Sequence, residues 1–466
     1  MKIQLCVLMA CSLLLSACGD SSDSSVLAGA GSPVRGPVGG EALPGEGAAS
    51  VPGVGSDVSS DSDTLSDGAP AAEAAPSGVA TSPVEPSLPQ PEPPVSIQPG
   101  TLTAGDYDDQ LNPSLYERYS DNFLQNVRAQ TNIPRLDLSQ RIAVIIKDSS
   151  GNPFAGANIA ILDTQGETTG TLMTPANGIT YLYEDLDGLA AEFTLRISDR
   201  LGDVSIMQTV SLDSIGQQRQ LDFVLDTPGV ANNQLDLQLV IDTTASMGDE
   251  LSYLQAELSS ILNSVRNANP QVSIRTGLVV YRDVGDQYVV RSYPFTDNLA
   301  DMQSALNAET FDGGGDYPEA MDQALAEALT FDWREQSARV SLLVADAPPH
   351  SDRVNATWAS ALAARSRQIH IVPLAASGVA EDAEYLMRSM AALTNSRYLF
   401  LTDDSGVGNP HDEPEINCYI VTRLDSLIRR VINQLVTGVR TEPSSNEVIR
   451  EVGDYDNGVC RTVGQQ

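Results

Sequence analysis

An acid and two alcohols stand at alternate positions in the stretch LVIDTTASMGDE, residues 239–250: Asp242, Thr244 and Ser246. An apolar run with the pattern of a buried strand ends at the acid. Two more aspartates sit in comparable settings. Asp346 closes the apolar run RVSLLVAD, residues 339–346, and Asp316 follows three glycines in FDGGGDYPEA, residues 311–320. Carboxylates and hydroxyls, with no thiol or imidazole among them, are hard oxygen ligands. Such a set suits Mg2+ first, with Ca2+ or Mn2+ as alternatives, and does not suit zinc. Three clustered carboxylates repel one another strongly unless a cation joins them. So few protein ligands also leave coordination positions for water or for a partner.

Other chemistries fit less well. A phosphatase-type aspartyl nucleophile would call for a second acid two residues on, where this chain has Thr244. A serine hydrolase elbow, Gly-x-Ser-x-Gly, is absent. The only histidines are His350, His370 and His411. His370 lies in an apolar run and reads as a core residue. His350, just after Asp346, reads as a loop residue or as part of the crevice rim. The acidic stretch TDDSGVGNPHDEPEINC, residues 402–418, reads as a solvated loop, with a second cation site through Asp403, Asp404, Asp412 and Glu413 as the alternative.

Elements able to position these groups follow from periodicity. Strand patterns occur at 235–242, 273–282, 288–295, 340–346, 369–374 and 398–401. Helical patterns occur at 249–267, 299–307, 318–331, 355–367, 381–394 and 419–435. Continuous apolar strands separated by amphipathic helices imply an α/β doubly wound domain over 234–438, its six-stranded sheet mostly parallel and covered on both faces. Ligands of such sheets sit beyond the carboxyl ends of the strands, where the winding reverses. If the first and fourth strands are neighbours there, Asp242 and Asp346 face one crevice. The glycines before Asp316 allow close backbone approach and would bring it to the same place.

These motifs resemble von Willebrand factor A-type domains. LQLVIDTTASMGDEL is similar to their first metal-site motif, Asp-x-Ser/Thr-x-Ser; GGGD occupies the place of their second-loop Thr; LLVADAPP is similar to the strand carrying their last Asp. The resemblance covers about residues 234–438. It implies that Thr244 and Ser246 bind the metal through their hydroxyls, with Asp242 and Asp346 acting directly or through water. Asp316 departs from the Thr of many members. An added carboxylate makes the ion less electrophilic and weakens its pull on an acidic group of a partner.

The remainder of the 466 residues sets the context. With 27 basic and 62 acidic residues the net charge is −35, which repels nucleic acid and anionic lipid and favours cations and basic partners. The start, MKIQLCVLMACSLLLSACGD, reads as a signal peptide over 1–17, and its LSAC ending resembles a bacterial lipobox. That resemblance implies lipid attachment at Cys18, and Gly19 in place of Asp favours the outer over the inner membrane. Cys418 and Cys460 then remain as an even pair for a disulfide, or as two buried thiols. Residues 18–105, rich in Pro, Gly, Ser and acids, read as a disordered tether reaching on the order of 50 Å. Residues 106–134 read as an amphipathic helix capped by Asn112, with a stripe of Leu115, Tyr119, Phe123 and Val127. Residues 135–228 change to period two and read as a small antiparallel sandwich. They resemble carboxypeptidase regulatory-like, Ig-like modules, which implies an accessory role. Residues 439–466 read as a tail without a core pattern. The expected whole is a non-enzymatic, lipid-anchored envelope protein whose metal crevice binds a protein partner. A hydrolase using the same carboxylates and a purely structural spacer are the rival classes.

Overall fold

The structure, a computed structural model, describes residues 100–127, 132–406, 411, 413–414 and 416–461. The expected signal peptide, Cys18 and the tether up to residue 99 lie outside the described residues, as does Asp412. The chain opens with β1 (Thr103–Tyr107) and α1 (Pro113–Val127). Seven strands follow: β2 (Arg141–Asp148), β3 (Asn158–Leu162), β4 (Thr168–Met173), β5 (Ile179–Tyr183), β6 (Glu192–Ser198), β7 (Ser205–Ser211) and β8 (Gln220–Leu225). Next come β9 (Gln234–Asp242), α2 (Gly248–Ala268), β10 (Ser273–Tyr281), β11 (Val290–Thr296), α3 (Leu299–Ala308), α4 (Met321–Leu329) and β12 (Ala338–Ala345). The last part holds α5 (Val354–Ser366), β13 (Ile369–Ala375), α6 (Glu381–Leu393), β14 (Tyr398–Thr402), β15 (Tyr419–Arg423), α7 (Leu424–Thr437), β16 (Arg450–Val452), β17 (Tyr455–Asp456) and β18 (Val459–Cys460).

Nine strands build the main sheet, in the order β11-β10-β9-β12-β13-β14-β1-β15-β16. β10, β9, β12, β13 and β14 run parallel. β11, β1, β15 and β16 pair antiparallel with their neighbours. The sheet is therefore mixed and wider than the six mostly parallel strands expected, and it draws on residues outside 234–438. β1 comes from the stretch assigned to the tether's end and the helix's start. Its sequence TAGDY has little apolar character, and its place is set by backbone pairing to β14 and β15 instead. Glu257 of α2 holds its entry, its Oε1 accepting from the backbone N–H groups of Thr101 and Leu102 at 2.9 Å each. The single helix expected over 419–435 divides into β15 and α7, because the first five residues, YIVTR, are rich in β-branched side chains and pair with β1 and β16.

The central strands are apolar on both sides because helices cover both. Leu237, Leu239 and Ile241 of β9 pack with Leu254, Ile261 and Val265 of α2 and with Leu427, Ile428 and Val431 of α7. The alternate residue Val240 packs on the opposite side with Met321 and Leu325 of α4, Trp358 of α5 and Met390 of α6. β9 thus lies in the middle of the core, with its carboxyl end fixed by neighbours on both edges.

Between α1 and β9, the strands form a three-stranded sheet, β5-β2-β8, and a four-stranded sheet, β4-β3-β6-β7. Ile142, Val144 and Ile146 of the first share one apolar cluster with Ile159, Ile161, Leu195 and Ile197 of the second. β2 and β8 pair parallel, a departure from the all-antiparallel expectation. A buried ion pair between Asp187 and Arg365 of α5, at 2.7 Å, ties this part to the main sheet's helices.

α1 is shorter than expected, and its buried residues are Tyr116, Ser120, Phe123 and Leu124. The expected stripe shares only Phe123 with them, because Phe123 stacks on Tyr385 of α6 at 4.6 Å and sets the rotation. Asn112 grips the tail with its side chain: Oδ1 accepts from Cys460 N at 2.8 Å and Nδ2 donates to Gly458 O at 2.7 Å. Cys418 and Cys460 are joined in a disulfide, and β16 adds residues of the expected tail to the sheet edge. Three acids of the loop before β15 are engaged by neighbouring side chains. Arg450 pairs with Asp404 at 2.9 Å and with Glu413, and His411 pairs with Asp403 at 2.9 Å. Asp403, Asp404 and Glu413 of the alternative second cation site thus have protein partners, and Asp412 lies outside the described residues. Among the described residues no helix is long and apolar enough to cross a membrane.

Candidate functional site

The order β10-β9-β12 places the winding reversal at β9, where the chain leaves in one direction to β10 and later returns on the other side as β12. β9 and β12 are in register to Ile241 and Val344, which sets Asp346 one residue beyond the level of Asp242 at the carboxyl ends, near enough for its charge to act on Asp242. Both are buried, at 0% and 4% exposure. The expected neighbourhood of the first and fourth strands is what the sheet contains.

Beyond Asp242 the chain turns through Thr243, whose N–H and hydroxyl both donate to the carbonyl of Tyr281, at 2.9 and 2.8 Å. Pinning Thr243 toward β10 leaves the alternate side chains on the other side. Asp242 Oδ1 accepts from Thr244 N at 2.9 Å and from Thr244 Oγ1 at 2.7 Å. Thr244 Oγ1 lies 3.2 Å from Ser246 Oγ, and Ser246 is exposed at the mouth. Asp242, Thr244 and Ser246 therefore converge as their spacing implies.

The glycine loop lies across this turn. Asp312 N donates to Thr243 O at 3.2 Å and Ala245 N to Gly313 O at 3.4 Å. Gly313 and Gly314 have φ of +82° and +69°, in the left-handed region that favours glycine. A Cβ on Gly313 would stand 2.3 Å from the Asp286 carboxylate, and one on Gly314 would stand 3.0 Å from Glu319 Oε1 and 3.4 Å from Thr244 Cβ. Gly314 N donates to Asp286 Oδ2 at 2.9 Å, and Asp286 Oδ2 also accepts from Asp283 N at 3.1 Å. The loop is held on its far side by Tyr317, whose hydroxyl donates to Asp346 O at 3.0 Å and accepts from Ala380 N at 2.8 Å.

The loop does not bury the acid that was expected. Asp316 is exposed at the loop's crest, whereas Glu319 is 3% exposed. Glu319 N donates to Pro348 O at 3.0 Å, and Glu319 bridges Pro349 in the chain just after Asp346. Glycine conformations place the loop's crest outward, and the backbone pairing at 319 brings the next acid inward. The sequence signal was the Glu in DYPEA, three residues after Asp316. Asp283, Asp286 and Tyr281 were also missed, for they belong to the end of β10 and the turn after it, which carry no motif. His350 belongs to the rim: its Nε2 lies 2.6 Å from Asp283 Oδ1. His370 is a core residue, with Nδ1 2.7 Å from Thr394 O, and burial pushes its imidazole down to about 4.

The electrostatics are those of crowded acids. Burial raises the Asp242 carboxyl above the ordinary aspartate range, and the Asp346 charge raises it further, against the two Thr244 hydrogen bonds. Burial and then the charges of Asp242, Asp283, Asp346 and Asp286 push Glu319 up to about 9. The Tyr281 phenol, paired in register with Asp242, is held neutral by burial and by the same acids. Asp242 Oδ2 and Glu319 Oε2 are buried oxygens with no hydrogen-bond partner. Among the described residues no three His, Cys, Asp or Glu side chains form an ion cage by themselves, so any cation here would also need the hydroxyls of Thr244 and Ser246.

A family model described as "von Willebrand factor A domain" matches residues 236–408. A curated relative, "Putative ariadne-like RING finger protein R811" of Acanthamoeba polyphaga mimivirus, is 31% identical over 116 residues, 25% of this chain, and the chain spans 11% of that relative's length. Among solved structures, BatB from Bacteroides thetaiotaomicron has a TM-score of 0.30 at 13% identity, over 43% of this chain and 98% of its own. The pilus adhesin SpaC from Lactobacillus rhamnosus GG has 0.31 at 14%, over 52% and 31%. The manganese-loaded TRAP protein of Plasmodium vivax has 0.26 at 14%, over 42% and 89%. With the family match and the α/β fold of its mixed sheet, residues 236–408 of this chain carry a von Willebrand factor A domain.

Proposed function

We propose that this protein is a non-enzymatic binding module of the cell envelope, whose A-type domain takes up a divalent cation at the switch point and engages a protein partner there. The observation that carries the reading is the buried Asp242 carboxylate, whose Oδ1 accepts from Thr244 and whose Oδ2 meets no donor, with Ser246 Oγ 3.2 Å from Thr244 Oγ1 and the Asp346 charge near enough to raise it. A buried carboxylate oxygen without a donor is costly, and a hard cation is the ligand that satisfies several at once. Mg2+ suits the all-oxygen donor set best, with Mn2+ and Ca2+ as the alternatives. When bound, the ion would neutralise the acids and lock the glycine loop on the β9 turn.

The rim fits a basic partner. Asp283, Asp286, Asp312 and Asp316 stand on the two loops that border the crevice. An acidic side chain would approach against them, so a bridge from the ion to a partner's carboxylate is not part of this reading. The two small sheets are read as an accessory sandwich, and Cys18 as a lipid anchor at the outer membrane with residues 18–99 as its tether.

The test uses the whole chain, since a fragment of 234–438 would lack β1 and β16. Calorimetric titration with Mg2+, Mn2+ and Ca2+ should give saturable heat. Asp242→Ala and Asp346→Ala should abolish both that heat and chelator-sensitive capture of a partner from envelope extracts, with cooperative unfolding retained. Normal capture by these variants would remove the crevice from the function. Metal-dependent turnover of phosphate or ester substrates would replace the reading with a hydrolase.

A further inference from the structure

We propose that a cleft between the turns of the two small sheets and the amino end of β12 binds a small organic carboxylate, its apolar body against Leu201 and Val230 and its charge on Arg200. The cleft lies at the opposite end of β12 from the crevice, and the inference does not depend on cation binding there.

The cleft has a volume of about 260 Å3, and its apolar lining comes from Phe154, Ala155, Leu201, Pro228 and Val230. Leu201 and Val230 are 80% and 76% exposed. Two aliphatic side chains thus stand in water at one concave surface, where an apolar group can cover both.

Arg200 lines the same cleft. Its guanidinium lies over Gly156, where a Cβ would collide with it, and its Nη1 donates to Glu335 O at 3.0 Å. Arg339 of β12 reaches the preceding carbonyl, its Nε donating to Arg334 O at 3.0 Å and its Nη1 to Arg367 O at 2.6 Å. Arg367 in turn donates from Nη1 to Leu329 O at 2.6 Å. Backbone carbonyls therefore fix all three guanidinium groups, and among the described residues none of the three forms an ion pair. The acids nearby are engaged elsewhere or turned to solvent. Asp236 pairs with Arg275 and Arg334, Glu335 is exposed, and Asp199 of the cleft folds back on its own turn, its Oδ1 accepting from Asp203 N at 2.8 Å. Arg339 is buried, and burial followed by the like charges of Arg200 and Arg367 lowers it from the ordinary arginine value. An anion would relieve that repulsion.

The class of anion follows from the surroundings. A guanidinium fork matches a carboxylate. The chain's net charge of −35 repels nucleic acid and anionic membranes, whereas screening beyond about 10 Å lets the local arginines govern a small ion at contact. A monoanion with an apolar body uses both the aliphatic wall and the cation beside it.

The experiment is calorimetric titration of the whole chain with octanoate, in chelator so that the crevice holds no cation. Octanoate should bind saturably. Acetate, which has the charge without the body, and 1-octanol, which has the body without the charge, should each bind at least about tenfold more weakly, roughly 1.4 kcal/mol. Arg200→Gln and Leu201→Asn replace side chains that are not buried, so both variants should keep the parent's melting temperature. R200Q should lose at least about tenfold in octanoate affinity and L201N at least about threefold. A parent that shows no saturable binding, 1-octanol binding as tightly as octanoate, or either variant binding octanoate as the parent does overturns the proposal.

Discussion

Glu319 makes the metal-free protein sensitive to alkali in a way that can be worked out. Its carboxyl is raised from an ordinary 4.5 to about 9, by burial first and then by the charges of Asp242, Asp283, Asp346 and Asp286. The folded chain therefore keeps a proton on Glu319 that the unfolded chain has already lost. Stability from this group is complete below the unfolded value and is lost as the pH rises toward the folded one, by at most about 1.4 kcal/mol per pH unit. Between about pH 7 and about pH 8.5 the upper limit is about 2 kcal/mol, and relaxation of the site reduces it to about 1–2 kcal/mol, or about 2–8 °C in melting temperature. The window lies above the titration of His370 and below that of the buried tyrosines. The assay is urea unfolding in chelator, followed by circular dichroism at several pH values in that window. The parent should weaken steadily with pH. E319Q should be markedly flatter, keeping only the smaller slope that the raised Asp242 contributes in the same direction. A parent that is equally stable across the window in chelator, or an E319Q variant with the parent's slope, would refute the reasoning.

Two other outcomes follow from the same structure. Gly314→Ala should destabilise the protein by about 1–2 kcal/mol and weaken Mg2+ binding, since Ala must adopt a left-handed backbone and crowds Glu319 and Thr244; Gly315→Ala, at a position with open space, should change neither, as thermal melting and calorimetry would report. His370 is buried neutral with its imidazole pushed down to about 4, so its contribution is complete above about pH 6.5 and declines as the pH falls toward the folded value; urea unfolding at about pH 5 should show a loss of about 2 kcal/mol relative to pH 7 that His370→Asn lacks.

What the chain's order of residues determined by itself was the parallel core and half of the site. Apolar runs at 239–241 and 342–345, each followed by an aspartate, require burial on both faces, and the doubly wound arrangement that satisfies them puts their ends together. Asp242, Thr244 and Ser246 are close in sequence, so a local turn is enough to gather them. What only the tertiary structure decided was everything set by backbone pairing and by loops. β1 carries too little apolar residue content to announce itself; its hydrogen bonds go to β14 and β15, about 300 residues away in the chain. Asp316 and Glu319 are both acids on one glycine-rich loop, and composition cannot say which turns inward, because that depends on φ at Gly313 and Gly314 and on the contact of Glu319 with Pro348. Asp283 and Asp286 join the site only because β10 lies beside β9. Periodicity reports how much of an element is buried; it does not report which distant strand supplies its partners, since amide and carbonyl groups are the same in every residue that offers them.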